Sequence, residues 1–205
     1  MNFNSTTTTQ TDLSLSDLQT TDAGSIKVAA LAGTITINEG DADDTGVIAA
    51  TSGNILLEAR GTGSDVVFNA DLESGSGHIT VWASDDIDGN ADIATTDGTV
   101  YLLANNNDDT EGKPADGVNL ADGTQINSNN GNVRIVATNE SDIYLNDIQA
   151  GAGAVSLLAE RDILDNNGAT INVRRRRCGR WPTATATRRA GSAARTRATA
   201  TPWPT

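Results

Sequence analysis

GSIKVAA (24–30), GNILLEA (53–59), GHITVWA (77–83), GTVYLLA (98–104), GNVRIVA (131–137) and GAVSLLA (153–159) all fit one pattern, G-x-[IV]-x-[VLI]-x-A, without a mismatch. Apolar residues at every second place after a glycine describe a short strand entered from a turn, with the third, fifth and seventh residues on one face. Successive glycines are 29, 24, 21, 33 and 22 residues apart, so the six copies describe a stack of like units. Two of the longer intervals contain the polar insertions NEGDADDT (38–45) and NNNDDTEGKPAD (105–116), where a stacked architecture places its loops.

A second pattern, an Asp followed by an aliphatic residue, fills the intervals. It occurs at Asp65-Val66 and Asp71-Leu72, Asp86-Ile87 and Asp92-Ile93, Asp142-Ile143 and Asp147-Ile148, and at Asp162-Ile163. One unit therefore reads as three short strands and three turns, the make-up of one coil of a β-helix. The five or six small aliphatics of one unit return less free energy on burial than ordering its backbone costs, so a coil is stable only when stacked on others. The sequence predicts an all-β chain: a right-handed parallel β-helix, or β-solenoid, of about 22 residues per coil.

Around this body, spanning residues 23–173, lie two segments of different character. Residues 1–22 are rich in Ser and Thr and read as a lead-in or a cap, with Leu13, Leu15 and Leu18 forming at most one poor strand. Residues 174–205 change composition within one residue: nine Arg, no acid, and mostly Ala, Thr, Pro and Gly besides. Such a sequence reads either as a frameshifted, non-native continuation or as a disordered basic tail that binds anionic polymers or the acidic body.

Charge follows the same division. All 27 acidic residues precede Arg174, against five basic ones (Lys27, Arg60, Lys113, Arg134, Arg161), which makes residues 1–173 carry −22 and the whole chain −13. A body so acidic does not bind nucleic acid by neutralising phosphates, but it offers many oxygen ligands to hard cations. The one cysteine, Cys178, has no intramolecular disulfide partner, no amino-terminal signal pattern is visible, and no apolar run is long enough to span a membrane. Aromatics make up 3% of the chain, so the core is expected to be built from Ile, Val, Leu and Ala.

Position by position the six copies separate into faces. The fourth residues (Lys27, Leu56, Thr80, Tyr101, Arg134, Ser156) form a mixture that suits solvent. The sixth (Ala29, Glu58, Trp82, Leu103, Val136, Leu158) are mostly apolar although they also point outward; they read as ordinary exposed aliphatic surface or as a strip that faces a partner.

Chemistry is sparse. The only histidine, His78, points outward in the third copy, with Asp85, Asp86 and Asp88 close in sequence, and clustered carboxylates of this kind raise the alternative of a polysaccharide-cleaving β-helix. Aspartates that recur at every turn are better explained as acceptors of backbone N–H groups. For calcium, the segments around Asp41, Asp43 and Asp44 and around Asn107, Asp109 and Glu111 resemble the first half of an EF-hand loop, and they stand as weak ligand candidates for a calcium-stabilised module. Both lack the closing Glu, Ser52 and Val118 standing in its place. No catalytic residue and no other cofactor is expected.

Over residues 24–173, the unit G-x-[IV]-x-L-x-A followed by D-I-x-L resembles the repeats of filamentous-haemagglutinin-type proteins and other giant repetitive bacterial surface proteins. That resemblance implies a non-catalytic, structural and adhesive segment at the cell surface or outside the cell, acting on a receptor or matrix and flanked by neighbouring repeats of a longer parent protein. The export signal and amino-terminal secretion domain of that family have no counterpart here, so the likeness is to an internal fragment.

Overall fold

A computed structural model describes residues 18–40, 43–107, 117–168 and 171–175. The first coil comprises β1 (Leu18–Thr20), β2 (Ile26–Ala30) and β3 (Ile35–Ile37), and the second β4 (Thr45–Ala49), β5 (Ile55–Ala59) and β6 (Val66–Phe68). The third holds β7 (Asp71–Ser74), β8 (Ile79–Ala83) and β9 (Ile87–Gly89), and the fourth β10 (Ile93–Thr95), β11 (Val100–Ala104) and β12 (Gly117–Leu120). Then come β13 (Gln125–Asn127), β14 (Val133–Ala137) and β15 (Asp142–Leu145), followed by β16 (Asp147–Gly151), β17 (Val155–Ala159) and β18 (Ile163–Asp165), with β19 (Val173–Arg175) beginning a seventh turn.

Every third strand joins the same sheet. The three sheets run β1-β4-β7-β10-β13-β16-β19, β2-β5-β8-β11-β14-β17 and β3-β6-β9-β12-β15-β18, and each pairing in them is parallel. This is a parallel β-solenoid of about six turns. Its mean coil is about 25 residues rather than the 22 of the shortest repeats, because the polar insertions lengthen the turns and leave the strands alone. All seven Asp-aliphatic pairs begin or immediately precede a strand of the first or third sheet. Among the described residues no helix is long and apolar enough to cross a membrane.

Register in the second sheet follows the repeat residue for residue. Ile26, Ile55, Ile79, Val100, Val133 and Val155 form one column, and Ala30, Ala59, Ala83, Ala104, Ala137 and Ala159 another. The inward columns of the middle coils are fully buried, as are Val66, Phe68, Ile87, Val118 and Ile143 of the third sheet and Val47, Leu72, Ile93, Ile126 and Ile148 of the first. Small and large side chains complement each other between coils: a Cβ on Gly89 would lie 2.5 Å from the Phe68 ring and 2.9 Å from Leu120, so the missing side chain makes room for the Phe68 ring.

The repeat glycines stand at the turns into the second-sheet strands, as the sequence suggested, with Gly53, Gly131 and Gly153 N–H donating to carbonyls three residues back, but the reason they are glycine is not the turn. None of Gly24, Gly53, Gly77, Gly98, Gly131 and Gly153 has a left-handed backbone. Instead, a Cβ built on Gly53, Gly77, Gly98, Gly131 or Gly153 would fall 1.7–2.0 Å from the carbonyl oxygen of the glycine one coil earlier. These are places of close backbone approach, and hydrogen alone fits there. Buried hydroxyls complete the column, with Ser74 Oγ donating to the Gly53 carbonyl at 2.8 Å, Thr95 Oγ1 to Gly77 at 2.9 Å and Ser128 Oγ to Gly131 at 2.7 Å.

Replacing Gly98 by Ala therefore forces two coils apart at the centre of the stack. Chemical denaturation of Gly98→Ala is expected to show a loss of about 1–3 kcal/mol or more, and an unchanged midpoint would contradict the close-contact role.

Candidate functional site

The polar residues that introduce the strands form columns running along the solenoid. At many junctions the residue at or just before the start of a strand presents an acceptor to the backbone N–H of its counterpart one coil further on. Before the second sheet, Asn54 N–H donates to Ser25 Oγ at 3.1 Å, His78 N–H to Asn54 Oδ1 at 2.8 Å, Thr99 N–H to His78 Nδ1 at 2.9 Å, and Ala154 N–H to Asn132 Oδ1 at 2.8 Å. Before the third, Asp86 N–H donates to Asp65 Oδ1 at 3.2 Å, Gly117 N–H to Asp86 Oδ1 at 2.7 Å and Asp162 N–H to Asp142 Oδ1 at 2.9 Å. Before the first, Asp92 N–H donates to Asp71 Oδ1 at 2.8 Å and Gln125 N–H to Asp92 Oδ1 at 2.7 Å. In the same turn, between the third and first sheets, Asn90 Nδ2 bonds Asn69 Oδ1 and Asn69 Nδ2 bonds Asn38 Oδ1, both at 2.8 Å.

This arrangement corrects the expected grouping of His78 with the aspartates. His78 precedes β8, whereas Asp85, Asp86 and Asp88 follow it, so the length of the strand, roughly 20 Å, lies between imidazole and carboxylates. His78 Nδ1 is occupied as an acceptor, which in that position makes it interchangeable with Asn54 and Asn132.

Of the calcium candidates, Asp41, Asp109 and Glu111 lie outside the described residues. Asp43 Oδ1 accepts the Thr45 N–H at 2.9 Å and the Thr45 hydroxyl at 2.6 Å, closing a turn into β4, where Asp44 has a left-handed backbone at φ 66°. Asn107 ties coils together: its Oδ1 accepts the Gly63 N–H at 3.1 Å and its Nδ2 donates to Ser84 Oγ at 2.6 Å. Asp43 and Asn107 thus stand at different corners. Among the described residues, the carboxylates that do come together are Asp65, Asp85 and Asp86, with oxygens within 4.8 Å of one another. One oxygen each of Asp65 and Asp86 also serves the ladder.

An acidic hollow lies beside the first sheet, lined by Asp44, Asp71, Asp92 and Asp122 with Asn69 and Asn90. Burial pushes the Asp71 carboxyl above the usual range; the bond from Asp92 N–H opposes this, and the charges of Asp92, Asp44 and Glu39 add to it. Elsewhere, acids meet bases. Glu58 lies 2.7 Å from Arg60 and 3.2 Å from Lys27, and the Arg60 hydrogen bond, followed by Lys27, holds its carboxyl below the ordinary value. Arg161 pairs with Asp142 at 3.2 Å and Arg174 with Asp147 at 3.4 Å.

Outward-facing apolar side chains of the second sheet stack in one column, Trp82, Leu103, Val136 and Leu158. Trp82 and Leu103 are half-buried, Val136 is buried and Leu158 is exposed, so the column is not a uniformly open strip. The buried hydroxyls at Ser74, Thr95 and Ser128 escaped the sequence reading, although each stands three residues before a repeat glycine, a spacing that could have marked them.

Compared with known protein families, with curated proteins and with solved structures, the chain matches none of them.

Two expectations follow from these columns. His78→Asn keeps the acceptor and should melt like the parent, while His78→Ala loses it and should cost about 0.5–1.5 kcal/mol; thermal melts of both variants decide. For Asp71, a folded-state pKa above the unfolded one means that folding favours the protonated form, a contribution present at low pH and lost as pH rises through the folded value. Asp71→Asn, which retains an acceptor, should therefore be more stable than the parent at neutral pH, and the gap should close below about pH 4; melting curves across that range would show it.

Proposed function

We propose that this chain is a non-catalytic structural and adhesive segment of a large secreted or cell-surface protein, a rod that gives reach and displays its outer faces to a receptor or matrix. One observation carries the reading: polar residues at the starts of strands in all three sheets, including the lone histidine, hold one coil to the next through backbone N–H groups. A chain that spends its Asp, Asn and His in this way is built for length. Insertions sit at the turns and leave the ladder in register, which is how a spacer varies its surface without losing stiffness.

The surface location rests on the resemblance of residues 24–173 to filamentous-haemagglutinin-type repeats, with neighbouring repeats of a longer parent as further partners. The acidic body, at −22 over residues 1–173, suits an exposed module that stays apart from nucleic acid and from other acidic surfaces.

Antibodies raised against the purified chain should label intact cells of the source organism. Labelling that appears only after permeabilisation would overturn the surface assignment. Incubated with uronate polymers, the chain should release no new ends; release abolished by Asp86→Ala would overturn the non-catalytic half of the reading.

A further inference from the structure

At five junctions the glycine of one coil is imposed by the coil before it, whose glycine carbonyl lies 1.7–2.0 Å from where a Cβ would be. Gly24 opens the first coil at the same place in the repeat, yet no such carbonyl faces it. The nearest atoms to a Cβ there belong to the Thr20 side chain at 3.4 Å, an ordinary contact, and its backbone is not left-handed. Nothing among the described residues demands glycine at position 24. A further coil stacked on this one would.

The two ends of the solenoid offer each other what neighbouring coils offer inside it. Ile26, Val28 and Ala30 of β2 and Val155, Leu157 and Ala159 of β17 are only half-buried, whereas their counterparts in the middle coils are fully buried. Leu31 is 76% exposed at one end, and Leu158 and Ile163 are 51% and 48% exposed at the other. Asp162 closes the column of Asp65, Asp86 and Asp142 without receiving an N–H from any described residue, and Thr34 heads that same column. Among the described residues, each end also carries strand edges in all three sheets with no further strand paired to them, a template for further pairing.

We propose that these ends form one interface, in which the last coil of one copy stacks on the first coil of a second copy. β17 pairs with β2 and β18 with β3 in the register of the internal junctions, and the Gly153 carbonyl packs against Gly24. Because the two surfaces differ, the contact is head-to-tail and does not close, so it builds a linear fibre. In the first sheet β19 already holds the place that β1 of the incoming copy would take, so one of these three-residue strands gives way at each junction. Repulsion between acidic bodies opposes the approach, and salt weakens that repulsion.

Sedimentation velocity of the full chain over a range of concentrations, at low and raised ionic strength, tests this. The expected result is growth into elongated oligomers that strengthens with salt. Gly24→Ala should weaken it at least about tenfold while leaving the circular dichroism and melting temperature of the single chain unchanged. A chain that remains monomeric throughout, or oligomers that Gly24→Ala does not weaken, would overturn the proposal. An independent readout is the double variant Lys27→Cys, Ser156→Cys, whose substituted positions become lateral neighbours across the junction at about 4.8 Å, within disulfide reach. Oxidation should give a ladder of covalent oligomers that neither single variant gives. Equal cross-linking in a single variant, which retains Cys178, would count against the stacked junction.

Discussion

The contact between one glycine carbonyl and the α-carbon of the glycine one coil on governs this molecule. A solenoid coil closes only if its backbone returns to within a strand spacing of where it began, and at this corner it returns closer than any side chain allows. The glycine sets where the second sheet starts, and the isoleucine or valine two residues later falls into its column as a result. Hydroxyls from Ser74, Thr95 and Ser128 then satisfy carbonyls that burial would leave without a partner. A packing constraint thus becomes a register constraint, and register decides which residues are inside.

The corners hold the stack in a second way. A parallel ladder satisfies backbone groups along the strands and leaves those at the turns to be met by other means. Here Asp, Asn, His, Ser or Thr side chains at the starts of strands in all three sheets accept N–H groups of the next coil, so the polar columns do at the corners what the aliphatic columns do in the core. Carrying this many aspartates has an electrostatic cost. Where several converge, as around Asp71, burial and like charge hold a carboxyl above its usual range, and where a base is at hand, as Arg60 beside Glu58, the reverse holds. The same property that recommended these residues as metal ligands or catalysts, an oxygen on a short side chain, is what the backbone uses.

Much of this architecture was legible in the residues themselves. A period of two after a recurring glycine yields the strands of the second sheet, and Asp-aliphatic pairs mark those of the other two, because alternation and turn chemistry are local properties. Such patterns are blind to which side chains meet across coils. His78 and Asp86 are eight residues apart in the chain and look like neighbours, but an extended strand between them carries them to different corners. Asn107, grouped in sequence with Asp109 and Glu111, also bridges Gly63 and Ser84, more than twenty residues away on earlier coils.

By itself, then, the sequence determined the strand pattern, the inward columns and the necessity of stacking, since short units of small aliphatics cannot pay for their own order. Only the tertiary structure decided what the glycines and aspartates are for. A missing side chain or a spare oxygen has no meaning until the coil that presses against it is in place, and that coil lies twenty to thirty residues away along the chain.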